Sequence, residues 1–287
     1  MKEVAKQTLY VSDMDGTLMS GDSRLSARTV SILNDLIAHR GMLFTVATAR
    51  TTATVVSLMR DVHTTLPYIV LSGAALWDDG RQCFEQTQAI DPLDVRRICD
   101  ICERHGVHPF VYRRHGNVLH THRYGAMTDF EADFVEARCH TPYKRFILDD
   151  PNYHTSDDET LLIFSMQRNE ALVKAHTQIV AEVNCEAICY RDNNDPSLVL
   201  LEVYAPGCNK AAAATRLKQR LGVERMVAFG DNLNDLPLLH AADHSVAVAN
   251  AFPEVRAQVD EVIGPNTDDS VALFLMNNGH ALPAKRP

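Results

Sequence analysis

The sequence predicts an α/β protein whose parallel sheet is interrupted by an inserted α+β domain. Two observations predict it. Apolar strand-like runs alternate with amphipathic helices at both ends of the chain, an order that demands parallel pairing with right-handed crossovers, while the middle is rich in short strands and hairpins. The strands at both ends also stop in carboxylates, hydroxyls or amides, which gathers polar chemistry at the carboxyl edge of one sheet, where open α/β sheets keep their sites.

The first strand is Leu9-Tyr10-Val11-Ser12-Asp13-Met14-Asp15-Gly16-Thr17-Leu18, an apolar run that ends in two carboxylates and a glycine able to turn the backbone sharply. Aspartates two residues apart repel each other unless a cation or a shared proton relieves them. Asp13 and Asp15 therefore mark a divalent-metal site, acid/base chemistry or both, against the plainer alternative of a solvated turn after an edge strand. Leu25, Val30, Leu33, Leu36 and Ile37 recur at helical spacing between Ser26, an N-cap residue, and Gly41, a stop. Residues 42–47 read as a second buried strand ending in Thr48-Ala49-Arg50. A helix over 52–62 and a third strand over 68–71, closed by Ser72-Gly73, complete the first half of the sheet.

The rhythm changes at Asp78-Asp79-Gly80, an acidic hairpin turn. A helix over 92–105 is followed by strands over 107–113 and 118–121 joined through His115-Gly116-Asn117. A helix over 128–139, an extended stretch over 161–167, a helix over 170–183 and strands over 187–190 and 198–204 follow. The parallel pattern resumes at Pro206-Gly207-Cys208-Asn209-Lys210. It continues with a helix over 210–221, a strand over 226–229 running into Gly230-Asp231-Asn232-Leu233-Asn234-Asp235, a strand over 246–249 ending in Asn250-Ala251, and a last helix over 270–276. The expected domains are a core of residues 1–79 and 205–287 and an insertion of residues 80–204, with no internal repeat.

Composition narrows the function. A chain of 287 residues suits two domains, and 46% hydrophobic with 23% charged residues is ordinary for a globular protein. A net charge of −9 disfavours nucleic acid as a partner, so any phosphate must be held locally by a metal, a lysine and backbone amides. Lys2 and Lys6 precede no apolar segment before Ser12-Asp13, so no signal peptide is expected. No apolar run approaches the roughly 20 residues a membrane span needs. Seven cysteines without a framework fit reduced thiols in a cytoplasm, and a monomer or weak homo-oligomer is expected.

Asp13, Asp15, Thr48, Lys210, Asp231 and Asp235 come from distant parts of the chain, yet each lies at an expected strand end or helix start on one rim. Together they make a phosphotransfer site. A carboxylate serves as nucleophile, a second carboxylic acid trades protons, a hydroxyl and an ammonium hold phosphate oxygens, and acids hold Mg²⁺.

Asp13-Met14-Asp15-Gly16-Thr17, Thr48-Ala49-Arg50, Lys210 and Gly230-Asp231-Asn232-Leu233-Asn234-Asp235 resemble, in this order, the four motifs of the haloacid dehalogenase superfamily of phosphatases. The long insertion resembles that of the Cof-type subfamily. The resemblance implies a Rossmann-like parallel-sheet core with an inserted α+β cap domain that covers the site. It implies Asp13 as nucleophile, Asp15 as general acid/base, Thr48, Ala49 and Lys210 on the phosphate, and Asp231 with Asp13 and the Asp15 main-chain carbonyl on Mg²⁺. Asn234 and Asp235 would support the metal shell. Ala49 stands where glycine is usual, Ala211 where glycine is common, and Ser72 where asparagine usually precedes Gly73-Ala74. Arg50, Ser72, Arg113, His122 and Asn250 are candidate substrate contacts.

The leading expectation is a Mg²⁺-dependent phosphomonoesterase acting on a small phosphorylated metabolite, a sugar phosphate foremost, through an aspartyl-phosphate. A phosphomutase on the same scaffold and a non-enzymatic phosphometabolite sensor are the alternatives. A haloalkanoate dehalogenase is disfavoured, since that reaction has no use for the Asp15 acid. Cys99-x-x-Cys102 has redox or zinc spacing but lies on an amphipathic helix, where packing is the better reading. His115, His120 and His122 read as polar cap surface or substrate contact before metal ligands, Trp77 as packing, and Arg113, Arg114 and Arg123 as a solvated face before an anion site.

Overall fold

The computed structural model describes residues 7–21, 23–155, 158–192 and 195–278; Lys2 and Lys6 lie outside them. The chain divides into two compact units, one of Met1–Glu85 with Asn209–Pro287 and one of Gln86–Cys208.

The first unit opens with β1 (Thr8–Ser12), buried from Leu9 onward. The helix α1 (Ala27–Arg40) begins at Ser26, whose hydroxyl accepts the Thr29 N–H at 2.9 Å, and ends at Gly41 in the left-handed region. After β2 (Leu43–Val46) comes α2 (Thr52–Met59), shorter at its end than the expected 52–62. Then β3 (Tyr68–Val70) leads into the hairpin β4 (Ala75–Asp78) and β5 (Cys83–Thr87). Trp77 fills the interior of that hairpin, its ring 5.0 Å from that of Phe84 and its Nε1–H on Asp79.

The second unit contains α3 (Pro92–Arg104), β6 (Phe110–His115), β7 (Val118–His122), α4 (Asp129–Glu136) and β8 (Lys144–Ile147). It continues with β9 (Glu159–Gln167), α5 (Ala171–Glu182), β10 (Glu186–Arg191) and β11 (Val199–Tyr204). Its strands form one sheet in the order β10-β11-β9-β6-β7-β8, antiparallel except for the β7–β8 edge. Cys99 and Cys102 are buried on α3, and burial pushes both thiols up, Cys102 to about 12, the behaviour of packing cysteines.

The chain then returns to the first unit through α6 (Lys210–Leu221), β12 (Arg225–Gly230), α7 (Leu236–Ala241), β13 (His244–Ala247), α8 (Pro253–Arg256), β14 (Glu261–Val262) and α9 (Ser270–Asn278). A parallel sheet runs β14-β13-β12-β1-β2, and β3 lies parallel beyond β2 through the Ala47–Ile69 bridge. Ser12 pairs with Phe229 on one side and Val46 on the other, so three strands end level with one another. That register brings the residues after β1, β2 and β12 onto one rim. Among the described residues no helix is long and apolar enough to cross a membrane.

Candidate active site

Asp13 follows the last residue of β1, and its N–H donates to Phe229 O at 3.0 Å, extending the ladder by one bond. The chain then makes one wide turn over Met14–Leu18, closed by Met19 N–H on Met14 O. Gly16 takes φ 79° in this turn, and a Cβ there would stand 2.4 Å from Asp231 Oδ2. Only glycine allows both the turn and the approach of Asp231. Asn250, just beyond β13, braces the same turn by donating from Nδ2 to Gly16 O at 2.8 Å.

Lys210 is the first residue of α6, which Asn209 caps by accepting the Ala212 N–H at 2.8 Å. Gly73 makes room for this helix start, since a Cβ there would lie 2.4 Å from Asn209 O. The buried Lys210 ammonium donates to Asp13 Oδ1 at 2.5 Å and to Asp235 Oδ1 at 2.7 Å. Burial alone would lower its pKa, but the two carboxylates outweigh burial and raise it. Asp235 Oδ2 accepts the N–H groups of Asp231 and Asn232 at 3.1 Å each, so this fully buried carboxylate holds the loop as well as the lysine. Gly230 lets it in, because a Cβ there would meet Asp235 Cβ at 2.7 Å.

The charges do not balance. Asp13, Asp231 and Asp235 each bring an oxygen within 4.8 Å of the others, against one ammonium. Burial, followed by the Asp235 carboxylate, pushes the Asp13 acid well above its ordinary range despite Lys210. Burial likewise pushes Asp231 up to about 6, against the hydrogen bond it accepts from Thr17 Oγ1 at 2.8 Å. Asp13 Oδ2 and Asp231 Oδ2 have no protein donor among the described residues. Hard oxygen donors with surplus negative charge and two uncommitted oxygens fit Mg²⁺. Asp13 and Asp231 are suited to hold it, and Asp235, with both oxygens engaged, to support them.

Thr48 is buried two residues past Val46, its hydroxyl accepting the Arg50 N–H at 3.1 Å and its carbonyl the Ser72 N–H at 2.9 Å. Ala49 links it to Arg50. Asp15 turns away from the buried cluster to Arg50, whose Nε and Nη2 donate to its two oxygens at 2.7 and 2.5 Å. Ser72 takes φ 52°, a left-handed conformation that asparagine adopts more readily than serine. Asn234 is exposed in the short turn Leu233–Asp235.

The remaining candidates lie in the second unit. Arg113 is 2% exposed and donates to Tyr153 O at 2.6 Å. His122 Nδ1 meets Asp150 Oδ2 at 2.7 Å. Arg123, also buried, donates to Glu131 and to the carbonyls of Gly125 and Ala126. The solvated face expected for the arginines is therefore wrong for Arg113 and Arg123, whose heads find acceptors inside the unit. Arg114 stays half-exposed on Glu159. His115 and His120 stack at 4.7 Å on the face that also carries His122.

Three roles were not foreseen in the sequence reading. The Thr17 hydroxyl on Asp231 and the brace made by Asn250, expected there as a substrate contact, depend on long-range approach and leave no local signal. Asn209 did leave one, an N-cap residue directly before a helix.

The chain is 27% identical over 292 residues to the HMP-PP phosphatase of Serratia proteamaculans, covering 94% of each. It is 26% identical over 274 residues to the 5-amino-6-(5-phospho-D-ribitylamino)uracil phosphatase YitU of Bacillus subtilis, covering 94% of this chain and 97% of that one. A solved haloacid dehalogenase-like hydrolase from Bacteroides thetaiotaomicron shares the fold at a TM-score of 0.76 with 18% identity, over 95% of this chain and 99% of that one. The family model of the haloacid dehalogenase-like hydrolases matches residues 10–275, nearly the whole chain, and the chain belongs to that family.

Proposed function

We propose that the chain is a cytoplasmic, Mg²⁺-dependent phosphomonoesterase that hydrolyses a small phosphorylated metabolite, a sugar phosphate foremost, through an aspartyl-phosphate on Asp13. The observation that carries the reading is the division of the two motif carboxylates. Asp13 is buried in the lysine and carboxylate cluster, while Asp15, two residues on, stands outside it in a different hydrogen-bond set. Such a split suits one carboxylate as nucleophile and the other as proton carrier.

A carboxylate oxygen of Asp13 attacks phosphorus, and the leaving-group oxygen departs with the proton of the Asp15 acid. Water then attacks the aspartyl-phosphate while Asp15 takes a proton from it. Asp13 returns to carboxylate and inorganic phosphate leaves. Lys210 favours the ionised form of Asp13 and aims it, and Thr48 and the Ala49 backbone would hold phosphoryl oxygens. Asp13, Asp231 and the Asp15 carbonyl, supported by Asp235 and Asn234, would hold Mg²⁺, whose positive charge would let a carboxylate approach a phosphate dianion.

The relatives named for HMP-PP and for a phosphoribitylamino uracil support a small metabolite as substrate. The insertion, residues 80–204, discriminates among such substrates, and the catalytic groups all lie outside it. A screen of phosphorylated metabolites for phosphate release tests the reading. Turnover should need Mg²⁺, vanish with excess chelator and fall below detection in Asp13→Asn with an unchanged circular dichroism spectrum. A rate in Asp13→Asn within tenfold of wild type would exclude the aspartyl-phosphate, and an isomeric product without free phosphate would make the enzyme a mutase.

A further inference from the structure

Arg50 is a side chain that the scheme above does not use. Its backbone is fixed on both sides, the N–H on Thr48 Oγ1 at 3.1 Å and the carbonyl accepting the Leu71 N–H at 3.0 Å. From this anchored loop the guanidinium reaches Asp15 with two parallel bonds, Nε to Oδ2 at 2.7 Å and Nη2 to Oδ1 at 2.5 Å. Asp15 in turn sits on a short loop pinned by the Gly16 turn and the Asn250 brace. Both partners of the pair are thus held by backbone, and the pair is bidentate, the geometry in which a guanidinium fixes the plane as well as the place of a carboxylate. An exposed pair of long side chains without such anchors would contribute little.

We propose that Arg50 is a positioning residue for Asp15, fixing the plane and place of the carboxyl that exchanges a proton with the leaving group and with water. The inference rests on the phosphatase reading of the site. In the first half-reaction the Asp15 acid gives its O–H proton to the leaving-group oxygen, which departs as an alcohol. What the pair supplies is orientation: with its plane and place fixed, the Asp15 carboxyl meets the leaving-group oxygen in one geometry. In the second half-reaction the same carboxyl, held in the same plane, takes a proton from the attacking water. No group outside the pair and the substrates is needed to balance either step.

The role predicts a dependence on the leaving group. An alkyl alkoxide needs its proton as it departs, whereas p-nitrophenolate leaves without one, and kcat/KM reports the steps up to phosphorylation of Asp13. Arg50→Gln should therefore lower kcat/KM for the best sugar phosphate of the screen by about 10- to 100-fold, and for p-nitrophenyl phosphate by no more than about threefold, since only part of a general acid's 10²- to 10⁴-fold effect is at stake. Arg50→Lys, with a single-point ammonium, should fall between. In an Asp15→Asn background, Arg50→Gln should add less than about twofold for either ester, because it has nothing left to position. Equal losses for the two esters would place Arg50 on the phosphoryl group and overturn the proposal. So would losses that multiply in the double variant, or a lowered melting temperature with neither ester affected. Absence of phosphate release by the wild-type chain from both esters would overturn the phosphatase reading, and this role with it.

Discussion

Raising the pH from 6.5 to 8.5 should stabilise this protein relative to its Lys144→Met variant. Lys144 opens β8 with its side chain 5% exposed. Its Nζ lies 4.5 Å from the ring centroids of Tyr112 and Phe146 and 5.3 Å from that of Phe134. The Tyr112 hydroxyl, at 3.1 Å, is its hydrogen-bond partner, and the charged group that acts on it is Arg138, of its own sign. Burial first, and Arg138 second, pull the ammonium down from 10.5 to about 7. Between those values the unfolded chain binds a proton at Lys144 that the folded chain does not, so the lysine's contribution to stability rises with pH across that window and is flat below it. The whole shift is worth roughly 5 kcal/mol at about 1.4 kcal/mol per unit, and the part between pH 7 and 8.5 about 2 kcal/mol. Above that range Cys99 and Cys102, held protonated by burial, act in the opposite sense, which sets the upper limit of the measurement. Urea denaturation followed by circular dichroism at several pH values, on wild type and Lys144→Met, isolates the lysine. Methionine keeps the stem and gives the rings an apolar partner, so the variant should be the more stable at pH 7. Equal pH slopes in the two proteins, or a less stable variant, would refute the reasoning.

Other outcomes follow from the site. Gly16→Ala should weaken Mg²⁺ binding, measured by titration calorimetry, by at least about tenfold, because its Cβ would meet Asp231 Oδ2 at 2.4 Å in a backbone conformation unsuited to alanine. Unchanged affinity would show that Asp231 can move without loss. Lys210→Met should cost about 3–5 kcal/mol in metal-free protein, since Asp13 and Asp235 keep their burial and lose their ammonium. With the Asp13 acid raised further, that variant should gain stability relative to wild type as pH falls from 7 toward 5, and a constant difference would argue against it. Alanine scanning of exposed side chains of the insertion, Tyr124 and Met127 among them, should reorder kcat/KM among metabolites more than it alters p-nitrophenyl phosphate turnover. An unchanged ranking, with changes at Ser72 or Asn250 reordering it, would assign specificity to the core.

The parallel core and the polar residues gathered on its rim were legible because strand ends and helix starts leave strong local marks. A β-rich run stopping at Asp13, another stopping at Thr48 and a third at Asp231 needed only the rule that parallel strands end on one rim. Short elements were not legible. The helix α7 has six residues and β14 two, too few to show a period, although Pro237 and Pro253 marked the starts of α7 and α8. Orientation was hidden as well. Asp13 and Asp15 look equivalent in the sequence, and what separates them is Arg50, 35 residues away. Arg113 and Arg123 were misplaced for a related reason. Arginine is rarely buried without a partner, and their partners, the Tyr153 carbonyl and Glu131, belong to no local pattern.

Lys144 and Lys210 make the same point in one residue type. Each is 5% exposed, and each lies at the first position of its element. At Lys210 the neighbours are carboxylates, Asp13 and Asp235, so the charge is retained and the amine holds the carboxylate cluster together. At Lys144 the neighbours are rings delivered by β6, α4 and β8, so the charge is expelled and the amine is a liability of the fold. Methionine in place of the first leaves two carboxylates unpaired, and methionine in place of the second supplies what its neighbours lack. One substitution at two equally buried lysines should therefore move stability in opposite directions. The sign depends on what the tertiary structure places around each amine and not on the amine itself.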